Sequence, residues 1–155
     1  MRNPDALLLL AAAVLLAYAL VGCGRRPVRG IVASAARTPG VVNPAVTQAT
    51  IASTICRRGW TATVRPPTSY TNALKLRQML AYREAGSPSA YQEDHLISLE
   101  LGGHPTDPRN LWPEPYPRAS DVDRIENELN AKVCSGGLSL AAAQLKESEL
   151  KHDYG

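Results

Sequence analysis

Apolar and polar positions divide the chain into an apolar N-terminal run and a mixed region after it. The run covers residues 6–21 without interruption, which is the length of a signal-peptide core or of a short membrane anchor. Residues 24–42 contain glycine, proline and arginine without periodicity, which predicts a flexible tether. Periodic patterns begin at Asn43-Pro44, so we predict one folded domain over residues 43–155.

The first half of this domain has the patterns of two helices and a strand. Asn43-Pro44 combines a good N-cap with proline at the first helical position, which predicts a helix over about 44–56. Alternation over residues 60–64 predicts a brief strand, and helical spacing predicts a second helix over about 71–84. Leu76, Met79, Leu80 and Arg83 are predicted to fall on one face of this second helix, and Gly86 suits its C-terminal cap.

The second half has the pattern strand, loop, strand, helix, helix. Strands are predicted over residues 91–101 and 110–112, with a turn at Gly102-Gly103, and the prolines after Trp112 are expected to end the pairing. Ser120 opens a helix, and a last helix begins near Ser139 with a polar, frayed tail from Lys146. The buried stripe of the Ser120 helix is predicted to be Val122, Ile125, Leu129 and Val133. Together these elements predict an α+β domain.

The end of the apolar run carries a candidate lipidation site. Leu20-Val21-Gly22-Cys23 resembles the lipobox of bacterial lipoproteins, which implies that residues 1–22 are a signal peptide and that Cys23 is lipidated. Residues 23–42 would then be the lipidated cysteine and its tether, and the domain would be exported and held to a cell-envelope membrane by acyl chains. The alternative is an uncleaved membrane anchor with an incidental cysteine.

Three cysteines are present, so setting Cys23 aside leaves Cys56 and Cys134. In an oxidising compartment an even remainder favours one disulfide. This bridge would stabilise the domain by about 3–4 kcal/mol, because it closes a long loop. The alternative is a pair of metal ligands, but neither cysteine has a neighbouring cysteine or histidine at ligand spacing.

One segment carries candidate chemistry. It reads Glu93-Asp94-His95-Leu96-Ile97, then Gly102-Gly103, then Asp107-Pro108-Arg109-Asn110-Leu111-Trp112, followed by the Ser120 helix. The order and spacing resemble those of the HNH (His-Me finger, ββα-metal) nucleases over about residues 91–134. Each part also has a plain structural interpretation: Asp-His can cap a turn, Gly-Gly can form a hairpin, and Asp107 can form an Asx-turn.

The resemblance implies a metal-dependent endonuclease, a hydrolase of phosphodiester bonds. It implies that His95 is the general base, that Asn110 orients the histidine and that Asp94 binds one divalent metal ion, Mg²⁺ or Mn²⁺ before Zn²⁺. A neutral imidazole can accept a proton from water near neutral pH. Adjacent strand residues point to opposite faces, so Asp94 and His95 can serve one site only where the strand twists or ends.

The second metal ligand departs from the family pattern, because the helix after the hairpin has no histidine in its first turn. Asp123, Glu126 and Asn127 are the candidates there, with Asp123 preferred, and their spacing places them on one helix face.

The chain has 17 basic and 14 acidic residues and a formal net charge of +3, which permits an anionic partner. Arg109 and Arg124 are the predicted phosphate contacts on DNA or RNA, and their alternative is ordinary surface charge. No dense basic stripe with aromatic residues is present, so nucleic-acid binding is expected to tolerate any sequence. The competing function is a catalytically silent module of the same fold that binds a partner in the cell envelope.

Overall fold

The computed structural model describes residues 31–155, which form four helices and a two-stranded antiparallel sheet. The helices are α1 (Trp60–Val64), α2 (Thr68–Tyr82), α3 (Arg118–Cys134) and α4 (Leu140–Asp153), and the strands are β1 (Tyr91–His95) and β2 (Leu111–Pro115). The predicted α+β class is confirmed. The predicted signal peptide and Cys23 lie outside the described residues. Within residues 31–155, no helix has the length and apolar character needed to cross a membrane.

The two strands form one hairpin, with Tyr91 opposite Pro115 and His95 opposite Leu111. β1 ends at His95, earlier than predicted, and a 3₁₀ turn follows at Leu99–Leu101. The prediction that prolines end the pairing after Trp112 was wrong, because β2 continues through Pro113 to Pro115. In a sheet of two strands both strands are edges, and an edge strand tolerates residues that cannot donate a ladder hydrogen bond.

The predictions for residues 44–64 were wrong. In place of a helix over 44–56 the chain makes turns and one 3₁₀ turn, Ile51–Ser53. The Thr50 hydroxyl donates to the Ala45 carbonyl at 2.8 Å and accepts from the Thr47 N–H at 2.8 Å, and such local bonds compete with helix. Residues 60–64 form helix α1 instead of a strand, and no strand of the described chain lies beside them to pair with.

Helix α2 is close to the predicted second helix but buries a different face. It begins at Thr68, directly after Pro67, and it buries Leu74 and Met79. Of the residues predicted to share one face, Met79 is buried, whereas Leu76 and Leu80 are exposed, Leu80 to 81%.

The hydrophobic core lies between the hairpin loop, α3 and α4. Val122, Leu129 and Val133 are buried along α3 and Ile125 is partly buried, as the predicted stripe required. Trp112 has no exposed surface and packs with Tyr82 of α2 at a ring distance of 6.2 Å. The predicted disulfide is confirmed: Cys56 and Cys134 are bonded, with their Cα atoms 5.5 Å apart, which joins the segment before α1 to the end of α3.

Two segments predicted to be loose are packed against the domain. Helix α4 begins after an N-cap at Ser139, as predicted, but its tail is not frayed: Glu147 and Lys151 are fully buried. Residues 31–42, which belong to the predicted tether, also pack on the domain. The Ala33 N–H donates to the Lys151 carbonyl at 3.0 Å, and Val42 forms a β-bridge with Gly103.

Candidate active site

The carboxyl end of β1 opens into a cavity of about 300 Å³. Asp94 and His95, the last two residues of the strand, both line it. Across from them stands the first half of α3, the helix that follows β2. The structure therefore brings together the predicted base and all four predicted metal ligands around one cavity: His95, Asp94, Asp123, Glu126 and Asn127.

The His95 ring is held in one tautomer. Its Nε2 lies 3.1 Å from the carbonyl oxygen of Pro105, and because a carbonyl can only accept, Nε2 carries the proton. Nδ1 then has the free lone pair. Within residues 31–155 no group hydrogen-bonds to Nδ1, and it is not a fully buried atom. Burial lowers the pKa of His95, against the opposing charge of Asp94, so the ring is neutral and can accept a proton at neutral pH.

Asn110 does not contact His95. Its side-chain oxygen accepts from the N–H groups of Ile97 (3.1 Å) and Val41 (3.3 Å), and its amide donates to the carbonyls of Ile97 (3.0 Å) and His104 (3.1 Å). The expected role of orienting the histidine directly is therefore not what the geometry shows. Asn110 fixes the loop between the strands, and this loop presents the Pro105 carbonyl to His95.

The same loop requires glycine at position 103. A Cβ atom there would lie 1.7 Å from the Ile97 carbonyl oxygen and 2.7 Å from the side-chain nitrogen of Asn110. Gly102, with φ of +76°, occupies the left-handed region that favours glycine. Gly103 thus allows the close approach of loop backbone to Asn110, whereas a Cβ atom at Gly102 would lie 2.5 Å from the Val46 side chain.

Asp94 is paired with a buried lysine. Lys151, which has no exposed surface, donates from Nζ to Asp94 Oδ2 at 2.7 Å, to Glu126 Oε1 at 2.7 Å and to the His95 carbonyl at 2.5 Å. Glu147, one turn earlier on α4, is 3.5 Å from the same Nζ. The last turns of α4 therefore form the wall behind the site.

This lysine sets the charges around it. Burial by itself would raise the pKa of Asp94, but the Lys151 ammonium holds that pKa well below its usual range, so Asp94 is ionised. Burial would lower the pKa of Lys151, but Asp94 and Glu126 raise it well above its usual value. Burial raises the pKa of Glu126, and it raises the pKa of Glu114 beside Asp94 to about 9. Among the carboxylates of Asp94, Glu114 and Glu126, Asp94 is thus the one that most readily keeps its negative charge.

The face of α3 toward the cavity offers two further oxygen donors. Asn127 donates from its amide nitrogen to the Asp123 carbonyl at 2.7 Å, which leaves its side-chain oxygen free to bind a cation. The carboxylate of Asp123 has no hydrogen-bond partner among residues 31–155, and burial raises its pKa. Glu126 is less available, because Lys151 holds one of its oxygens.

These donors were tested for their fit to a metal ion. No cluster of three or more histidine, cysteine, aspartate and glutamate side chains within residues 31–155 has the geometry to hold one unaided. The donors on the cavity wall are carboxylate and amide oxygens, from Asp94, Asp123 and Asn127, and of these Asp94 already accepts from Gln92 Nε2 at Oδ1 (3.2 Å) and from Lys151 Nζ at Oδ2 (2.7 Å). This set fits Mg²⁺ or Mn²⁺, which keep water and gain ligands from phosphate, better than Zn²⁺, which prefers imidazole and thiolate. The expected divalent ion stays a prediction.

The predicted phosphate contacts lie away from this cavity. Arg109 is exposed, and its guanidinium donates to both carboxylate oxygens of Asp107, at 3.0 and 2.7 Å. Arg124 is exposed on α3 and does not line the cavity. The arginine that does line it is Arg65, in the turn between α1 and α2.

Lys151, Glu147 and Arg65 were not among the residues predicted for the site. A signal for the first two was available: Leu140, Ala143, Glu147 and Lys151 fall at i, i+3, i+7 and i+11, which is one helix face. The apolar residues at its start indicate that this face is buried, so the two charged residues must be paired inside. Arg65 has no comparable signal, because only the folded chain brings it to His95.

Comparisons with protein-family models, with curated proteins and with solved structures found no match.

Proposed function

We propose that this protein is a metal-dependent phosphodiester hydrolase that acts on DNA or RNA outside the cytoplasm, with His95 as its general base. The observation that carries the proposal is the state of His95: Nε2 is fixed by the Pro105 carbonyl, and Nδ1 is free beside a cavity with oxygen donors. The order hairpin, loop, helix, with Asp94 and His95 at the strand end, supports the resemblance to HNH nucleases.

The reaction follows from this arrangement. Nδ1 of His95 removes a proton from a water molecule in the cavity, and the water oxygen attacks the phosphorus atom. The bond from phosphorus to the departing sugar oxygen breaks, and that oxygen takes up a proton. The products are a phosphate monoester and an alcohol. Asn110 and Gly103 keep the loop in place, so that the imidazole stays in the orientation that this proton transfer needs.

A divalent ion would be held by Asp94 together with Asp123 or Asn127, and when bound it would stabilise negative charge on the phosphate oxygens. Lys151 keeps Asp94 ionised while donating to Oδ2, and a cation would bind at Oδ1, where it would replace the 3.2 Å hydrogen bond from Gln92 Nε2.

The compartment in the proposal is supported by the disulfide, since such bonds persist in oxidising environments outside the cytoplasm. The lipid anchor at Cys23 belongs to the same proposal, because it would keep the hydrolase at the membrane.

Hydrolysis is tested with the full-length oxidised chain in detergent micelles, incubated with plasmid DNA or RNA in Mg²⁺, Mn²⁺, Zn²⁺ or EDTA. The proposal expects cleavage in Mg²⁺ or Mn²⁺ and none in EDTA. Equal cleavage in EDTA, or none with any ion, would contradict it.

A second candidate function is a catalytically silent envelope module of the same fold. The observation in its favour is Lys151, which uses oxygens of Asp94 and Glu126 that a metal ion would need. Calorimetry with Mn²⁺ separates the two functions. A hydrolase binds Mn²⁺, and Asp94→Asn removes that binding while Asp107→Asn, outside the cavity, retains it. A protein that binds no divalent ion fits the silent module.

A further inference from the structure

Arg65 is a cation at the candidate active site that the reaction above does not use. It is exposed, and its backbone is fixed because its N–H donates to the Thr61 carbonyl at 3.0 Å and two prolines follow it. None of the ion pairs within residues 31–155 involves its guanidinium. Among residues 31–155 it is also the one lysine or arginine that lines the cavity, against four acidic residues: Asp94, Glu100, Asp123 and Glu126.

The cavity beside His95 continues in both directions. On one side a second cavity, of about 210 Å³, shares Arg65, Asp94 and His95 with the first. On the other side a third, of about 280 Å³, shares Glu100 with it. The three hollows are therefore neighbours that share lining residues, and His95 and Arg65 line two of them.

Two more arginines belong to this row. Arg57 and Arg58 are exposed and line the third cavity, beside the disulfide. Neither forms an ion pair within the described part of the chain. Because the Cys56–Cys134 bond ties this segment to the end of α3, the arginines are held at fixed positions relative to the helix that carries Asp123. A row of free cations along connected hollows suits a ligand with repeated negative charges.

We propose that Arg57, Arg58 and Arg65 bind the phosphates of one extended nucleic-acid strand, with the phosphate to be cleaved lying between Arg65 and His95. This inference rests on the proposed function and names the form of its substrate. The hollows have the scale of single nucleotides, whereas bases stacked and paired in a duplex would have to unstack to enter them, at a cost of about a few kcal/mol each. A single strand enters without that cost, and its phosphates meet the arginines along the way.

The test measures binding in EDTA, so that cleavage does not interfere. A fluorescently labelled single-stranded oligonucleotide is titrated with the full-length oxidised chain in detergent micelles, at several salt concentrations. Arg65→Gln is expected to weaken binding by about tenfold, since it removes a charge-assisted contact, and to lower the slope of log affinity against log salt by about one. The double variant Arg57→Gln, Arg58→Gln is expected to weaken binding at least as much.

Arg37→Gln is the matched control, because Arg37 is exposed and lines none of the three cavities. The inference is overturned if Arg65→Gln binds like Arg37→Gln, or if duplex DNA of the same length binds as tightly as the single strand. Arginine-dependent binding of the single strand by a chain that cleaves nothing would support the binding surface and reject the hydrolase. Cleavage that is insensitive to Arg65→Gln would support the hydrolase and reject the arginine binding surface.

Discussion

Asn110 braces the candidate site without contacting His95. It has no exposed surface, and its side-chain amide makes four hydrogen bonds to backbone, three in the loop between the strands and one at Val41. Asn110→Ala leaves these groups unpaired, so we expect it to lower the free energy of unfolding by at least about 3 kcal/mol and to reduce cleavage as well. Urea unfolding of the variant measures this, with Asn72→Ala on the exposed face of α2 as control. Reduced cleavage at unchanged stability would contradict the loop-bracing role.

Lys151 balances the buried charge behind the site. Replacing it by methionine keeps the side chain's bulk but leaves Asp94, Glu126 and Glu147 without their cation. Removal of one partner from a buried ion pair typically costs about 3–5 kcal/mol, and we expect a loss of that size for Lys151→Met. Thermal and urea unfolding measure it. Lys146→Met, on the exposed side of the same helix, should unfold like the wild type. If Lys151→Met also unfolded like the wild type, the buried network would not stabilise the fold.

Glu93 gives the fold a pH dependence. Both of its carboxylate oxygens are buried without a hydrogen-bond partner, and burial raises its pKa to about 8, although the charge of Lys75 opposes this. Between pH 4.5, its ordinary pKa, and about 8 the folded chain holds a proton that the unfolded chain has released. Stability contributed by this group is therefore present below pH 4.5 and falls as the pH rises through that window.

Glu93→Gln removes this titration, so it should raise the melting temperature relative to the wild type at pH 8 and leave it nearly unchanged at pH 4. Calorimetric melting at the two pH values measures the difference. Glu149→Gln, which is exposed, serves as the control and should show no such pH-dependent gain. An equal effect of Glu93→Gln at both pH values would show that the carboxyl does not titrate in this window.

At the scale of elements, the disulfide connects the segment before α1 to the end of α3, and both cysteines line the third cavity. It joins residues 78 apart in sequence. In the chain-entropy account a loop of that length corresponds to about 4 kcal/mol of stabilisation. Cys56→Ser should therefore lower the urea midpoint, while the folded fraction keeps its chemistry. Cys134→Ser and the reduced wild type should show the same lowering of the urea midpoint. An unchanged midpoint would contradict the structural role of the bond.

The elements also show where sequence patterns are sufficient. Helix α3 was predictable because Val122, Leu129 and Val133 repeat at helical spacing and are buried. The segment of residues 44–56 was not, since its N-cap and proline favour a helix while the Thr50 hydroxyl stabilises turns instead. Helix α1 has the alternation of a strand, but a strand also needs a partner, and a pattern within the segment cannot show one.

At the scale of the whole molecule, local motifs predicted the centre of the candidate site, and long-range packing completed it. Asp94 and His95 are adjacent in sequence, so their position at the strand end could be expected. Lys151 comes from a helix that follows α3, and Arg65 from a turn before α2. Their approach to Asp94 depends on how the helices close around the hairpin, and this is a property of the core and the disulfide that no short segment encodes.

The central claim is that His95 acts as the general base of a phosphodiester hydrolase, and one measurement tests it most directly. Cleavage of a labelled single strand is followed in Mg²⁺ or Mn²⁺ for the wild type, for His95→Ala and for Arg37→Gln. We expect Arg37→Gln to cleave like the wild type. We expect His95→Ala, assayed at a temperature where circular dichroism shows it to be folded, to be slower by about 100-fold or more, since general-base catalysis contributes factors of that size. Equal cleavage by His95→Ala and the wild type would contradict the account.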